Sequence, residues 1–105
     1  MAITKLDEEV ARHIMKWKKS GTAWIDEDGN HVALKSFSTD LNATWEVVDK
    51  VCDLGFRLQL AGGRIWQARF YKSASHTLET HAFETTKSTP AEAICTAALA
   101  ISGHI

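Results

Sequence analysis

No motif of known catalytic geometry stands in this sequence. It lacks the Gly-x-Ser-x-Gly elbow that exposes a nucleophilic serine, so its many serines and threonines give no sign of acyl transfer. Gly62-Gly63 is followed by a strand-like run rather than a helix, which makes it a hairpin signal and not a phosphate loop. An excess of one charge is missing too: twelve Lys+Arg stand against thirteen Asp+Glu, a formal charge of −1. Binding to a phosphate backbone usually shows as a basic surplus, so a nucleic-acid partner is not expected. No long apolar run opens the chain, since MAITKLDEEVARHIMKWKK is broken by charge throughout. Neither a signal peptide nor a membrane span is expected there, and the cytoplasm is the expected location. Cysteine is scarce. Cys52 and Cys95 lie far apart in apolar helical patterns without a Cys-x-x-Cys pair, so both are expected to be buried, reduced thiols.

What is present is enough for one domain. The chain has 105 residues, 45% apolar and 24% charged, which supports a core and argues against disorder. No repeat and no low-complexity segment divides it.

Three segments read as helices. Ile3, Leu6, Val10, Ile14 and Trp17 recur at spacings of three and four, predicting a helix over 3–19, with Asp7, Glu8 and Glu9 near its start and Lys16, Lys18 and Lys19 at its end. Ser20-Gly21 is its expected stop. A second helix is expected over 40–54, capped from Ser38, Thr39 or Asp40, with Leu41, Trp45, Val48 and Cys52 as one stripe and Val47, Val51 and Leu54 beside it. The third opens at Ser88-Thr89-Pro90 and runs to Ile101; its small apolar residues predict close packing and deep burial.

Between them lie strands. Trp24-Ile25 and His31 to Leu34 flank a turn at Asp26 to Asn30. Phe56 to Leu60 and Ile65 to Tyr71 alternate cleanly, and a third strand is expected over 78–84. The order is α-β-β-α-β-β-β-α, an α/β chain of the α+β type with a mainly antiparallel sheet.

Several residues resemble a known family, the phage ABA sandwich domain. They are Val10-Ala11, Met15-Lys16-Trp17, Trp24-Ile25-Asp26 with Gly29, Phe37 to Asp40 leading into Ala43 to Lys50, Trp66 to Phe70, and Thr89 to Leu99. The run from Ser38 to Lys50 and the closing Thr-Pro helix are the most specific. The family's longer Ser-Pro-Ser-Thr-Asp form is shortened here to Phe37-Ser38-Thr39-Asp40. The resemblance implies a three-layer α/β/α sandwich and a phage or prophage origin, hence a bacterial host cytoplasm. It implies no activity and assigns no functional residue.

Candidate sites are few. Asp26, Asp28 and Asn30 imitate part of a calcium loop, but Gly29 falls too early and a plain turn is expected. His13, His31, His76, His81 and His104 show no metal spacing. Glu46, Asp49 and Asp53 read as a solvated helix face rather than paired catalytic carboxylates. Neither a cofactor nor a metal is expected. Trp17, Trp45 and Trp66 are expected in the core, and Trp24 is expected to be partly exposed.

The most informative feature is a second, polar side of the sheet. Arg57, Gln59, Gln67, Arg69 and Tyr71 point away from the Phe/Leu/Trp side, and His81 and Phe83 are expected to join them. This face is either solvated or a binding surface for a partner subunit, a host protein or a small anionic ligand; two arginines beside an aromatic ring suit a phosphate and a stacked base. The leading expectation is a non-enzymatic phage or prophage accessory protein that acts by binding and forms a homo-oligomer. The alternative is a sponge that sequesters a small nucleotide signal used in host defence.

Overall fold

The first helix begins where its capping residues dictate. Thr4 is the N-cap of α1 (Lys5–His13), and the Asp7 carboxylate reaches back to the Thr4 N–H in a capping box. A computed structural model describes residues 4–21, 23–73 and 80–102. The other elements are β1 (Lys18–Ser20), β2 (Ala23–Ile25), β3 (His31–Val32), α2 (Leu41–Cys52), β4 (Arg57–Gly62), β5 (Trp66–Ser73), β6 (Thr80–Lys87) and α3 (Pro90–Ile101). The chain is of mixed α+β class, with three helices and two antiparallel three-stranded sheets, β1-β2-β3 and β4-β5-β6.

The expected order holds, and one short strand is added to it. The tail of the predicted first helix is not helical. Ile14 and Met15 N–H both donate to the Val10 carbonyl, Trp17 N–H donates to that of Ala11, and Lys16 takes a left-handed φ of 62°. The chain thereby turns back at once, and Lys18–Ser20 pairs with β2. Trp17 stays buried by this turn rather than by a helical stripe, its ring 5.6 Å from that of Phe37. Ser20 ends β1 and Gly21 begins the β1–β2 connection, so the pair does not stop a helix.

The large sheet positions the polar face. Leu58, Phe70 and Phe83 stand opposite one another across its strands, as do Leu60, Ala68 and Thr85. This row packs under α3, where Thr85 Oγ1 donates to the Ala93 carbonyl at 2.7 Å. Phe83 is therefore a helix-side residue, edge-on to Phe56 at 5.9 Å, and not part of the polar face. The β4–β5 connection is Gly63-Arg64-Ile65, and the Trp66 ring lies over Gly62, where an added Cβ would come within 2.3 Å of it. No side chain fits there without moving the indole.

The helices run in the same sense. Their N-terminal caps Thr4 and Thr89, with Ser38-Thr39 just before α2, line one cavity, while residues from all three C-terminal ends line another. Buried Ala93, Ala97 and Ala98 let α3 approach its neighbours closely, and α2 meets the core through Ala43, Thr44, Val47, Val48 and Val51. The stripe predicted for α2 is corrected by this packing. Trp45 is 47% exposed, Leu41 and Leu54 are exposed with it, and Cys52 is an exposed thiol rather than a buried one. Trp24 is the reverse case: it is only 4% exposed and joins the core cluster, with Arg12 and Lys19 over its ring at 5.6 and 5.9 Å.

Candidate functional site, the open face of the large sheet

Alternation along the strands brings nine residues onto the side of the sheet away from α3. In register they are Arg57, Tyr71 and Ala82; Gln59, Arg69 and Glu84; and Ala61, Gln67 and Thr86. Most are exposed, Arg69 and Tyr71 are half-buried, and no helix or strand among the described residues covers them. Among the described residues, α3 packs on the opposite face of this sheet.

Contacts within the face fix its central residues. The Arg69 guanidinium lies 5.4 Å from the Tyr71 ring centroid, and its Nη1 donates to Gln59 Oε1 at 3.4 Å. Gln67 Nε2 donates to Glu84 Oε1, which engages the carboxylate that stands opposite Arg69. Among the described residues neither Arg57 nor Arg69 forms an ion pair. Two guanidiniums beside an oriented phenol are the chemistry of anion capture with ring stacking.

At one end this face meets a small cleft of about 240 Å³ lined by Gly55, Arg57, Tyr71 and Lys72. Lys72 Nζ donates to the Leu54 carbonyl at 3.2 Å and lies 5.5 Å from the Phe56 ring. Gly55 has φ +95°, and an added Cβ would come within 3.4 Å of the Lys72 chain. Strand alternation assigns Lys72 to the other row, so reading the sequence by period alone misses it. Its only sequence signal was Gly55 as a helix stop, which says nothing about a lysine seventeen positions on. The structure brings together Arg57, Gln59, Gln67, Arg69 and Tyr71 as expected. His81 is described through its backbone alone, which pairs with Lys72; its side chain lies outside the described residues. His76 and His104 lie outside the described residues.

The other candidates resolve into structure. The Asp26 carboxylate accepts from the Asp28 and Asn30 N–H groups at 3.0 and 2.9 Å, which makes it the brace of a turn. Glu46 accepts from Lys35 Nζ at 2.7 Å. Partial burial, then the Asp49 and Asp53 carboxylates, raise the Cys52 thiol above its ordinary range. Burial, with Asp7 and Glu92 adding to it, pushes Cys95 up much further, and its Sγ donates to the Phe37 carbonyl. Raised values mean less thiolate at neutral pH and slower alkylation. Iodoacetamide at pH 8 is therefore expected to modify Cys52 slowly and leave Cys95 untouched in the native protein, with both labelled in urea. Mass spectrometry of the intact protein checks this, and native labelling of Cys95 would contradict the fold.

Comparison with known proteins adds three findings. The family model described as the phage ABA sandwich domain matches residues 8–99. A 2.0 Å crystal structure of a phage protein from Bacillus cereus ATCC 14579 superposes with a TM-score of 0.72, at 17% identity, over 95% of this chain and 91% of that one. No curated protein matches. The structural likeness rests on the fold, since identity at that level does not carry a site across.

Proposed function

As this chain belongs to the phage ABA sandwich domain family, a family of phage proteins of unassigned function, we propose that it is an accessory protein acting by binding through the open face of its large sheet. The observation that carries this reading is the pair of unpaired guanidiniums beside Tyr71 on an uncovered sheet face. An arginine stacked on a tyrosine and braced by a glutamine stabilises the strand pairing and also holds its guanidinium oriented toward a ligand. The ligand that matches it has an anionic group for Arg57 and a flat ring for the Arg69–Tyr71 stack, which describes a small nucleotide. Sequestration of a nucleotide signal needs no catalytic group, which agrees with the absence of any catalytic motif in the sequence.

A thermal-shift panel of linear and cyclic nucleotides tests it. At a hundredfold excess over Kd a ligand adds about 2.7 kcal/mol of stability, roughly a 10–20 °C rise for a domain of this size. The Arg57→Ala, Arg69→Ala double variant is expected to lose that rise while keeping its unliganded Tm within a few degrees, since both side chains are surface groups. No rise with any nucleotide removes the sponge reading.

A second reading has its own observation. Ala61 and Ala82 are small and exposed on the same face, which permits close approach of a second copy about a two-fold axis. Light scattering separates the two, because a dimer dissociated by Arg69→Glu would assign the face to self-association.

A further inference from the structure

The C-terminal ends of α1, α2 and α3 converge on a cavity of about 400 Å³, far along the fold from the N-terminal caps. That volume falls within the roughly 300–1,000 Å³ of small-molecule sites. Val51 is fully buried at its wall, Ile14 is nearly so, Ile101 is half-buried, and Leu54 presents exposed apolar surface beside them. An exposed leucine next to a buried valine in a concave site leaves apolar surface wet that an apolar group would cover.

The charged groups at the rim divide into two kinds. Lys50 and Glu27 are paired with each other. Lys16 and Asp53 also line the cavity, and neither forms an ion pair among the described residues. Lys16 is held at this rim by a left-handed backbone, φ 62°, the one positive φ outside glycine among the described residues. A residue with a β-carbon adopts that conformation only where its surroundings impose it.

We infer that this cavity is a binding site for a small apolar zwitterion of the free amino-acid type, separate from the sheet face. The apolar body covers Ile14, Val51, Leu54 and Ile101. The carboxylate meets Lys16, and the ammonium meets Asp53. Partial negative charge at three helix C-terminal ends adds to the attraction for the ammonium. An apolar monoanion would face Asp53 and those helix ends unfavourably, and an apolar monocation would face Lys16. Only a ligand bearing both charges complements both rim groups. Neither Arg57 nor Arg69 takes part.

The test uses the full chain and three probes that differ in charge alone: L-phenylalanine, phenethylamine and 3-phenylpropionate. Side-chain methyl NMR of Ile14, Val51, Leu54 and Ile101 reports occupancy. Phenylalanine is expected to shift these signals saturably in the millimolar range, with each singly charged probe weaker by roughly tenfold or more. Lys16→Ala should weaken phenylalanine and phenylpropionate and spare phenethylamine. Asp53→Asn should do the opposite. A loss of folding would instead reduce all three probes equally and would show in the signals of the Leu6 methyls, at the cavity lined by the helix N-terminal caps. The inference is overturned if phenylalanine gives no saturable shift, if both variants affect the three probes alike, or if Arg57→Ala, Arg69→Ala abolishes the shift. In that last case nucleotide binding by the sheet face is judged separately by its own thermal shift.

Discussion

Replacing Asp7 with alanine is expected to lower the stability by about 3–5 kcal/mol, a large part of the roughly 5–15 kcal/mol of a small domain. The Asp7 carboxylate is fully buried and accepts three hydrogen bonds: from Thr4 N–H at 2.9 Å, Thr4 Oγ1 at 3.0 Å and Ser38 N–H at 2.7 Å. Hydrogen bonds to a charged acceptor contribute about 1.5–3 kcal/mol each, and loss of a helix cap costs about 1 kcal/mol. Alanine would remove half of the capping box and leave the buried Ser38 N–H without an acceptor. It would also detach the loop before α2 from α1. Asp7→Asn should fall between alanine and the native protein, because its amide oxygen can still accept from Ser38 while its NH₂ opposes the Thr4 N–H. Urea unfolding checks both, with a lower midpoint at unchanged slope. A loss below 1 kcal/mol for alanine would mean that water replaces the carboxylate and that the tether is dispensable.

The second large effect is predicted for Phe37→Ala, about 3–5 kcal/mol. Phe37 is fully buried although it lies in a loop, its ring packs on Trp17, and its carbonyl accepts from Thr44 Oγ1 at 2.6 Å and from Cys95 Sγ at 3.2 Å. The residue therefore joins the turn after α1 to α2 and α3 at one point. Trp45→Ala serves as the contrast. Its side chain is larger, but it is about half in water, so truncation is expected to cost about 1–2 kcal/mol. Equal losses at the two positions would show that the exposed side of α2 is covered in solution, and analytical ultracentrifugation of the native protein would then show a dimer.

These two predictions mark where a sequence can be read and where it cannot. The pair Asp7 and Phe37-Ser38 lies about thirty positions apart, and no local pattern announces that a first-turn aspartate will bond a distant loop. Asp7 was legible as a helix-start acid; the Thr4 cap and the bond to Ser38 were not. On α2, Leu41, Trp45, Val48 and Cys52 form one helical stripe, and Thr44, Val47, Val48 and Val51 form another beside it. Period alone cannot rank them. The alanine-rich surface of α3 does, because branched valines can approach small residues closely while an indole would hold the helices apart. Trp24 was misread for a related reason. A three-residue strand is too short to show a face by period, yet the ring packs into the core cluster, and β1 folds back to bring Lys19 to join Arg12 over it.

The sequence by itself determined the class of the protein. Caps, stops and period-two alternation depend on neighbours a few residues away, so α2, α3, the β4-β5 pairing and the polar row with Arg57, Arg69 and Tyr71 were legible in it, as was the family resemblance. The absence of catalytic motifs was legible in the same way. Tertiary structure alone decided where α1 ends, which side of α2 is buried, that Phe83 packs on the helix side, and that Lys72 sits beside Arg57. It also brought the three helix C-terminal ends to one cavity. Each of these depends on packing between segments far apart in the chain, where the free energy of burial is collective and no single residue carries its own address.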